Sequence, residues 1–220
     1  MLHHGRVLGA VDRFVDRADA GRRLAEAVAE AGLDVGLVLG MARGGVPVAA
    51  EVARHTGAQL GVLVVRKVGA PRHRELAVGA VADTGTVVWD TELLADLGLA
   101  PESMGADVVR VQDEVERQLA TYGREERWDG SGAVVIVDDG LATGTSAVAA
   151  VRSVRERAGA GRPVVLAVPV ASRQGLQRLR PETDRALALE VPWRFGAVST
   201  WYDDFRQVSD DEVLAALGRA

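Results

Sequence analysis

Three times this sequence runs a short apolar segment straight into a helical pattern: DVGLVLG (34–40) before PVAAEVARHTG (47–57), AVVIVDD (133–139) before SAVAAVRSVRERAG (146–159), and PVVLAVPVA (163–171) before RQGLQRL (173–179). A nearly unbroken apolar run is a strand covered on both faces, and such strands joined through helices pair in parallel. The alternation predicts an α/β fold, a mostly parallel sheet with helices on both faces. Residues 18–31 add an opening helix, with Leu24, Val28 and Ala31 at helical spacing behind Asp19, read as its N-cap. AQLGVLVVRK (58–67) reads as a second buried strand, LAVGAVA (76–82) and TVVW (86–89) as two more, and RALALEV (185–191) as the last. Residues 101–128 carry Val108, Val111, Val115 and Leu119 at spacings of three and four, the pattern of a long half-exposed helix outside the sheet.

The chain has 220 residues, 48% of them hydrophobic and 26% charged, which suits one globular domain with an added hood or cap element over about 190–220. Its net charge of −5 supplies no field to draw in a nucleic acid, so none is expected as partner. Cysteine is absent, which excludes thiolate chemistry. No apolar run approaches the roughly 18 residues of a membrane span, and MLHHGRVLGAVDRF lacks the pattern of an export signal. A cytoplasmic protein with no membrane partner is the expectation, with His3 and His4 a loose start rather than metal ligands.

The chemistry concentrates in VVIVDDGLATGTSA (134–147), a buried strand that ends on two carboxylates and a loop of small residues. In an open parallel sheet, ligands bind beyond the carboxyl ends of the strands, where loops meet helix N-termini. Gly140, Leu141, Ala142, Thr143, Gly144, Thr145 and Ser146 would present backbone N–H groups and hydroxyls at the positive end of the next helix, a phosphate cradle. No Lys follows Gly144, so this is not a Walker A loop. Asp138 and Asp139 would repel a phosphate, but two adjacent acceptors suit the vicinal hydroxyls of a sugar. A ribose 5-phosphate satisfies both halves. The plainer alternative is that Asp139 caps a turn in an ordinary strand-to-helix loop.

At these residues the chain resembles the type I phosphoribosyltransferases, whose signature is an apolar strand, two acidic residues and a Gly/Thr loop. LGMARGGVPVAAEVA, VVRKVGAPRHRELAVGAVAD and FGAVSTWYDDFRQVSDDEV resemble a bacterial subgroup of that family. The resemblance implies that Asp138 and Asp139 bind the ribose hydroxyls of phosphoribosyl pyrophosphate (PRPP) and that Ala142 to Ser146 hold its 5-phosphate. It makes MARGGV a pyrophosphate loop, with Arg43 and the N–H groups of Gly44 and Gly45 on the diphosphate and a cis peptide between Ala42 and Arg43. It implies Mg2+ carried on PRPP near Asp138 and Asp139, and a homodimer.

Arg66, Lys67, Arg72, His73 and Arg74 form a basic cluster in an acidic chain. It reads either as a solvated face or, by resemblance, as a flexible loop that closes over PRPP, with Arg66 and Lys67 placed for diphosphate contact. Glu75 is a hinge anchor or a helper acid. Trp193, Phe195, Trp201, Tyr202 and Phe205 crowd near the C-terminus, where they would stack a planar acceptor, form the base of a cap or make a dimer contact. The expected function is Mg-dependent phosphoribosyl transfer from PRPP to a small-molecule base, amine or hydroxyl. The alternatives are hydrolysis of PRPP or a ribosyl phosphate, and PRPP sensing without catalysis.

Overall fold

The computed structural model describes residues 13–123, 130–159 and 161–219; His3, His4 and residues 124–128 of the expected long helix lie outside these. In chain order the elements are α1 (Arg17–Glu30), β1 (Val35–Met41), α2 (Gly45–Thr56), β2 (Gln59–Leu63), β3 (Val65–Ala70), β4 (His73–Ala82), β5 (Val87–Trp89), α3 (Thr91–Asp96), α4 (Gly105–Tyr122), β6 (Ala133–Val137), α5 (Thr145–Ala158), β7 (Val164–Val170), α6 (Arg173–Leu179), β8 (Arg185–Glu190) and α7 (Asp210–Ala216).

Five strands form the expected parallel sheet in the order β2-β1-β6-β7-β8. Successive side chains of a strand point to opposite faces. Accordingly Val38, Val135 and Val165 pack with Leu24 and Val28 of α1 and Val48 and Val52 of α2. Leu37, Leu39, Ile136 and Leu166 pack on the other face with Val148, Val151 and Val154 of α5. The chain runs outward from β1 to β2 on one side and from β6 through β7 to β8 on the other. The order therefore reverses between β1 and β6, where Gly40 lies opposite Val137. Such a reversal splays the two following loops apart and opens a crevice beyond the strand ends.

Three sequence expectations change. AQLGVLVVRK is not one strand: only Val64 separates β2 from β3, and β3 leaves for a second sheet, antiparallel, in the order β3-β4-β5. A parallel neighbour needs a crossover of a dozen or more residues, which one residue cannot supply. The segment read as a basic loop is the β3–β4 hairpin, whose residues 71–76 are exposed. This small sheet packs Val65, Ala80, Ala82 and Val88 with α5, while Val68, Val78 and Val81 pack with Leu94, Met104 and Val111. The cap of α1 is also displaced: Asp16, not Asp19, accepts the bond from the Asp19 N–H.

After β8 the chain returns over the strand ends to a 3₁₀ turn, Val198–Trp201. Phe14 N–H donates to the Trp201 carbonyl at 2.9 Å and Asp203 N–H to the Phe14 carbonyl at 2.8 Å, which fastens this segment to the entry of α1. Helix α7 then buries Val213 beside Val46, Val115 and Tyr122.

The β1–β6 register slips between Val35 and Leu37, and a Cβ on the intervening Gly36 would come within 1.9 Å of the Ser131 carbonyl oxygen. Backbone cannot yield as a side chain does, so Gly36→Ala is expected to destabilise the protein by about 1–3 kcal/mol, the usual cost of overpacking. Urea denaturation checks this, and an unchanged midpoint would contradict it.

Candidate active site

The loops after β1 and β6 face each other across the reversal point, and glycine lets them meet. A Cβ on Gly44 would lie 2.0 Å from Asp139 Oδ2, and one on Gly45 would lie 2.5 Å from the Val137 carbonyl and 2.8 Å from the Asp138 Cα. The Ala42–Arg43 peptide is cis, as the resemblance implied. Helices α2 and α5 start at this crevice with Gly44 and Gly144 as N-caps and no side-chain cap, whereas α1, α3, α6 and α7 are capped by Asp16, Asp90, Ser172 and Ser209. Two helix ends without a side-chain cap thus direct backbone N–H groups and positive dipole ends at one place, a setting for anions.

The paired aspartates differ. Arg17 holds Asp139 Oδ2 with Nε at 2.9 Å and Nη2 at 2.8 Å. The same guanidinium donates from Nη1 to the Arg206 carbonyl at 2.8 Å and lies 3.9 Å from the centre of the Phe205 ring. Asp139 is fixed at its backbone as well, since the Tyr202 hydroxyl donates to its carbonyl at 2.6 Å. Asp138 accepts only the Asp139 N–H, at 2.9 Å, and among the described residues no side chain donates to it. Burial and then the Asp139 charge push the Asp138 carboxyl well above its ordinary range, offset in part by Lys67 and Arg17. Burial also raises Asp139, with the Arg17 charge opposing it. One carboxylate is held by a guanidinium, and the other accepts only a backbone N–H.

The motif loop is braced from outside. Leu141 is buried and its N–H donates to the Val170 carbonyl at 2.9 Å; Gly140 lies against Val198, and Ala142 receives the Ser172 hydroxyl on its carbonyl. Gly144 takes a left-handed φ of 85°, with a hypothetical Cβ only 3.0 Å from the Gly175 carbonyl. Thr143 is exposed, Ser146 half-buried and Thr145 buried. Arg178 Nη1 donates to Thr145 Oγ1 at 2.7 Å and pairs with Asp90 at 2.7 Å. A hydroxyl that accepts from Arg178 keeps its own proton for another acceptor. Arg17 and Arg178 had no sequence signal, because each acts on a residue distant in the chain; Asp90 and Ser172 cap α3 and α6 locally, but their bonds to Arg178 and to the Ala142 carbonyl are long-range.

On the β1 side, Arg43 Nη1 lies 3.4 Å from Asp210 Oδ1. Asp210 also accepts the hydroxyl of Tyr122, a phenol that burial and then this bond push upward. Lys67 and Arg66 occupy neighbouring positions on β3 and so point to opposite faces. The Lys67 charge acts on the two aspartates and the Arg66 charge on Tyr122. Arg72, His73, Arg74 and Glu75 are exposed at the hairpin tip.

The aromatic residues divide. Tyr202 is only 1% exposed, its ring 5.4 Å from Phe14 and 5.0 Å from Phe205, so it packs the cap and offers no free face for stacking. Trp201 donates its indole N–H to the Phe195 carbonyl at 2.9 Å, and both are half-buried. Trp193 is 80% exposed, with the Arg173 guanidinium 4.6 Å from its ring centre.

A carboxyl raised by burial costs the folded state stability when it ionises: the cost is present above its folded pKa and disappears as pH falls to its ordinary value near 3.8. Asp138→Asn is therefore expected to raise unfolding stability by about 1–3 kcal/mol at pH 7. The advantage shrinks from the raised folded pKa downward and vanishes below pH ~4. Denaturation curves at pH 7 and pH 4 check this; a less stable variant at pH 7 would contradict it.

A family model described as the phosphoribosyl transferase domain matches residues 10–203. Two Mycobacterium tuberculosis proteins, from strains CDC 1551 and H37Rv and each named "Putative phosphoribosyl transferase", are 42% identical over 209 residues, 94% of this chain and 47% of theirs. The chain thus spans about half the length of these curated relatives. A crystal structure of TT1426 from Thermus thermophilus superposes with a TM-score of 0.74 at 43% identity, covering 93% of this chain and 97% of that one. One of a hypothetical protein from Neisseria gonorrhoeae, with a TM-score of 0.51 at 11% identity over 92% and 91% of the two chains, shares the fold. Among the described residues no helix is long and apolar enough to cross a membrane. The apolar strand, paired aspartates and Gly/Thr loop between two uncapped helices are thus those of a chain that belongs to the phosphoribosyl transferase family.

Proposed function

We propose that this domain binds PRPP across the crevice between β1 and β6 and transfers its phosphoribosyl group to a small-molecule acceptor, releasing diphosphate. The observation that carries the reading is Asp138: a carboxylate without a side-chain partner, set between two helix N-termini that no side chain caps. A group left ionisable in a partly buried site needs a ligand to satisfy it. Vicinal ribose hydroxyls do so as donors, while the α5 N-terminus with Thr143, Thr145 and Ser146 takes the 5-phosphate. Arg43, the N–H groups of Gly44 and Gly45, and Lys67 take the diphosphate. Asp139 contributes by holding the loop in place through Arg17.

The family implies Mg2+, and the residues present fit a metal that arrives on the substrate. Among the described residues no three His, Cys, Asp or Glu side chains gather as a cage, while Asp138 keeps a carboxylate oxygen without a side-chain donor. When bound, the ion would neutralise charge on the departing diphosphate. The chain's own part is to align phosphate, ribose and diphosphate along the crevice, so that the bond to the ribosyl carbon weakens with the leaving group already held. The acceptor is a base, amine or hydroxyl; the buried ring of Tyr202 supplies no stacking surface for it.

Calorimetric titration with PRPP, with and without Mg2+, followed by measurement of diphosphate release, tests the reading. Expected are Mg-strengthened binding and release that depends on added acceptor, with Asp138→Asn lowering turnover by roughly 100-fold or more while remaining folded. Release without acceptor would indicate hydrolysis instead, and a protein that binds no PRPP would overturn the proposal.

A further inference from the structure

We infer that Asp210 and Tyr122 form a latch that lowers the diphosphate affinity of Arg43, so that only a ligand of high charge displaces it. The inference rests on the function proposed above and adds a residue on the C-terminal helix to it.

Asp210 opens α7, and its first turn is held rigidly: Ser209 and Glu212 cap it reciprocally, and Val213 is fully buried. Its Oδ1 is shared, accepting the Tyr122 hydroxyl while standing 3.4 Å from Arg43 Nη1. Tyr122 is 1% exposed and comes from α4, so its hydroxyl cannot follow Asp210 outward. Arg43 follows β1 in the loop that packs Gly44 against Asp139. Three elements distant in sequence therefore meet on one carboxylate beside the proposed diphosphate site.

A guanidinium that grips two phosphate oxygens must turn its fork toward them. Arg43 then has to leave Asp210, whose charge remains balanced in part by the Tyr122 proton. The latch subtracts from diphosphate binding and leaves the 5-phosphate site, on α5, untouched. A monophosphate at the Arg43 site competes less well than a diphosphate, because its smaller charge must overcome the same carboxylate. The phenol matters to the sign. It disperses charge on Asp210, so its removal leaves a stronger competitor.

Titrations of pyrophosphate and of ribose 5-phosphate into wild type, Asp210→Asn and Tyr122→Phe test this. Asp210→Asn should bind pyrophosphate roughly 2- to 5-fold tighter, the scale of a partly exposed ion pair, and Tyr122→Phe about 2-fold weaker. Neither should change ribose 5-phosphate affinity. Weaker pyrophosphate binding by Asp210→Asn, shifts of the same sign in both variants, or equal changes for both ligands would overturn the latch. Wild type that binds both ligands while Asp210→Asn alters neither overturns the latch alone; wild type that binds neither overturns the proposed function and the latch with it.

Discussion

An arginine in the first turn of α1 and an aspartate just beyond β6 form the ion pair on which the site depends. Arg17 and Asp139 are 11% and 15% exposed at their side chains, and the guanidinium also covers Phe205 and bonds the Arg206 carbonyl. A largely buried pair of this kind contributes little over a hydrophobic contact, but losing one partner strands the other charge at a cost of several kcal/mol. It links the helix at the chain's start, the motif loop and the returning C-terminal segment.

The pair also explains why two adjacent carboxylates tolerate one another. Burial opposes both charges; Arg17 bonds Asp139 directly and reaches Asp138 only through its charge, as Lys67 does. Asp138 remains strained electrostatically in the free protein. That arrangement is the common exchange of stability for readiness at a binding site, where a ligand completes what the fold leaves incomplete. The starts of α2 and α5 without side-chain caps are the same device in backbone form; α1, α3, α6 and α7 receive ordinary side-chain caps, and α4, entered through a 3₁₀ turn, has none.

Topology places these groups. The sheet's reversal between β1 and β6 sets the loop containing Arg43 beside the loop containing Asp138. Close approach of the loops is allowed by Gly44 and Gly45, where any Cβ would strike the aspartates or the strand end. The β3–β4 hairpin carries Lys67, whose charge acts on the two aspartates, and leaves its basic tip exposed.

Local sequence sufficed for the parallel sheet, for the boundaries of α6, and for VVIVDDGLATGTSA, because apolar periodicity and small-residue turns act within a few residues. The departure of β3 to a second sheet was not legible in the same way, since the apolar run continues unbroken through Val64, the single residue at which the chain turns. Other features also required the folded chain. That Asp138 and Asp139 differ follows from Arg17, 122 residues before Asp139. That Tyr202 is core follows from Phe14, and that Arg43 faces Asp210 follows from the return of α7 over α2. Composition and spacing select which groups can do chemistry; which of them remain free depends on partners that only chain reversal brings within hydrogen-bond reach.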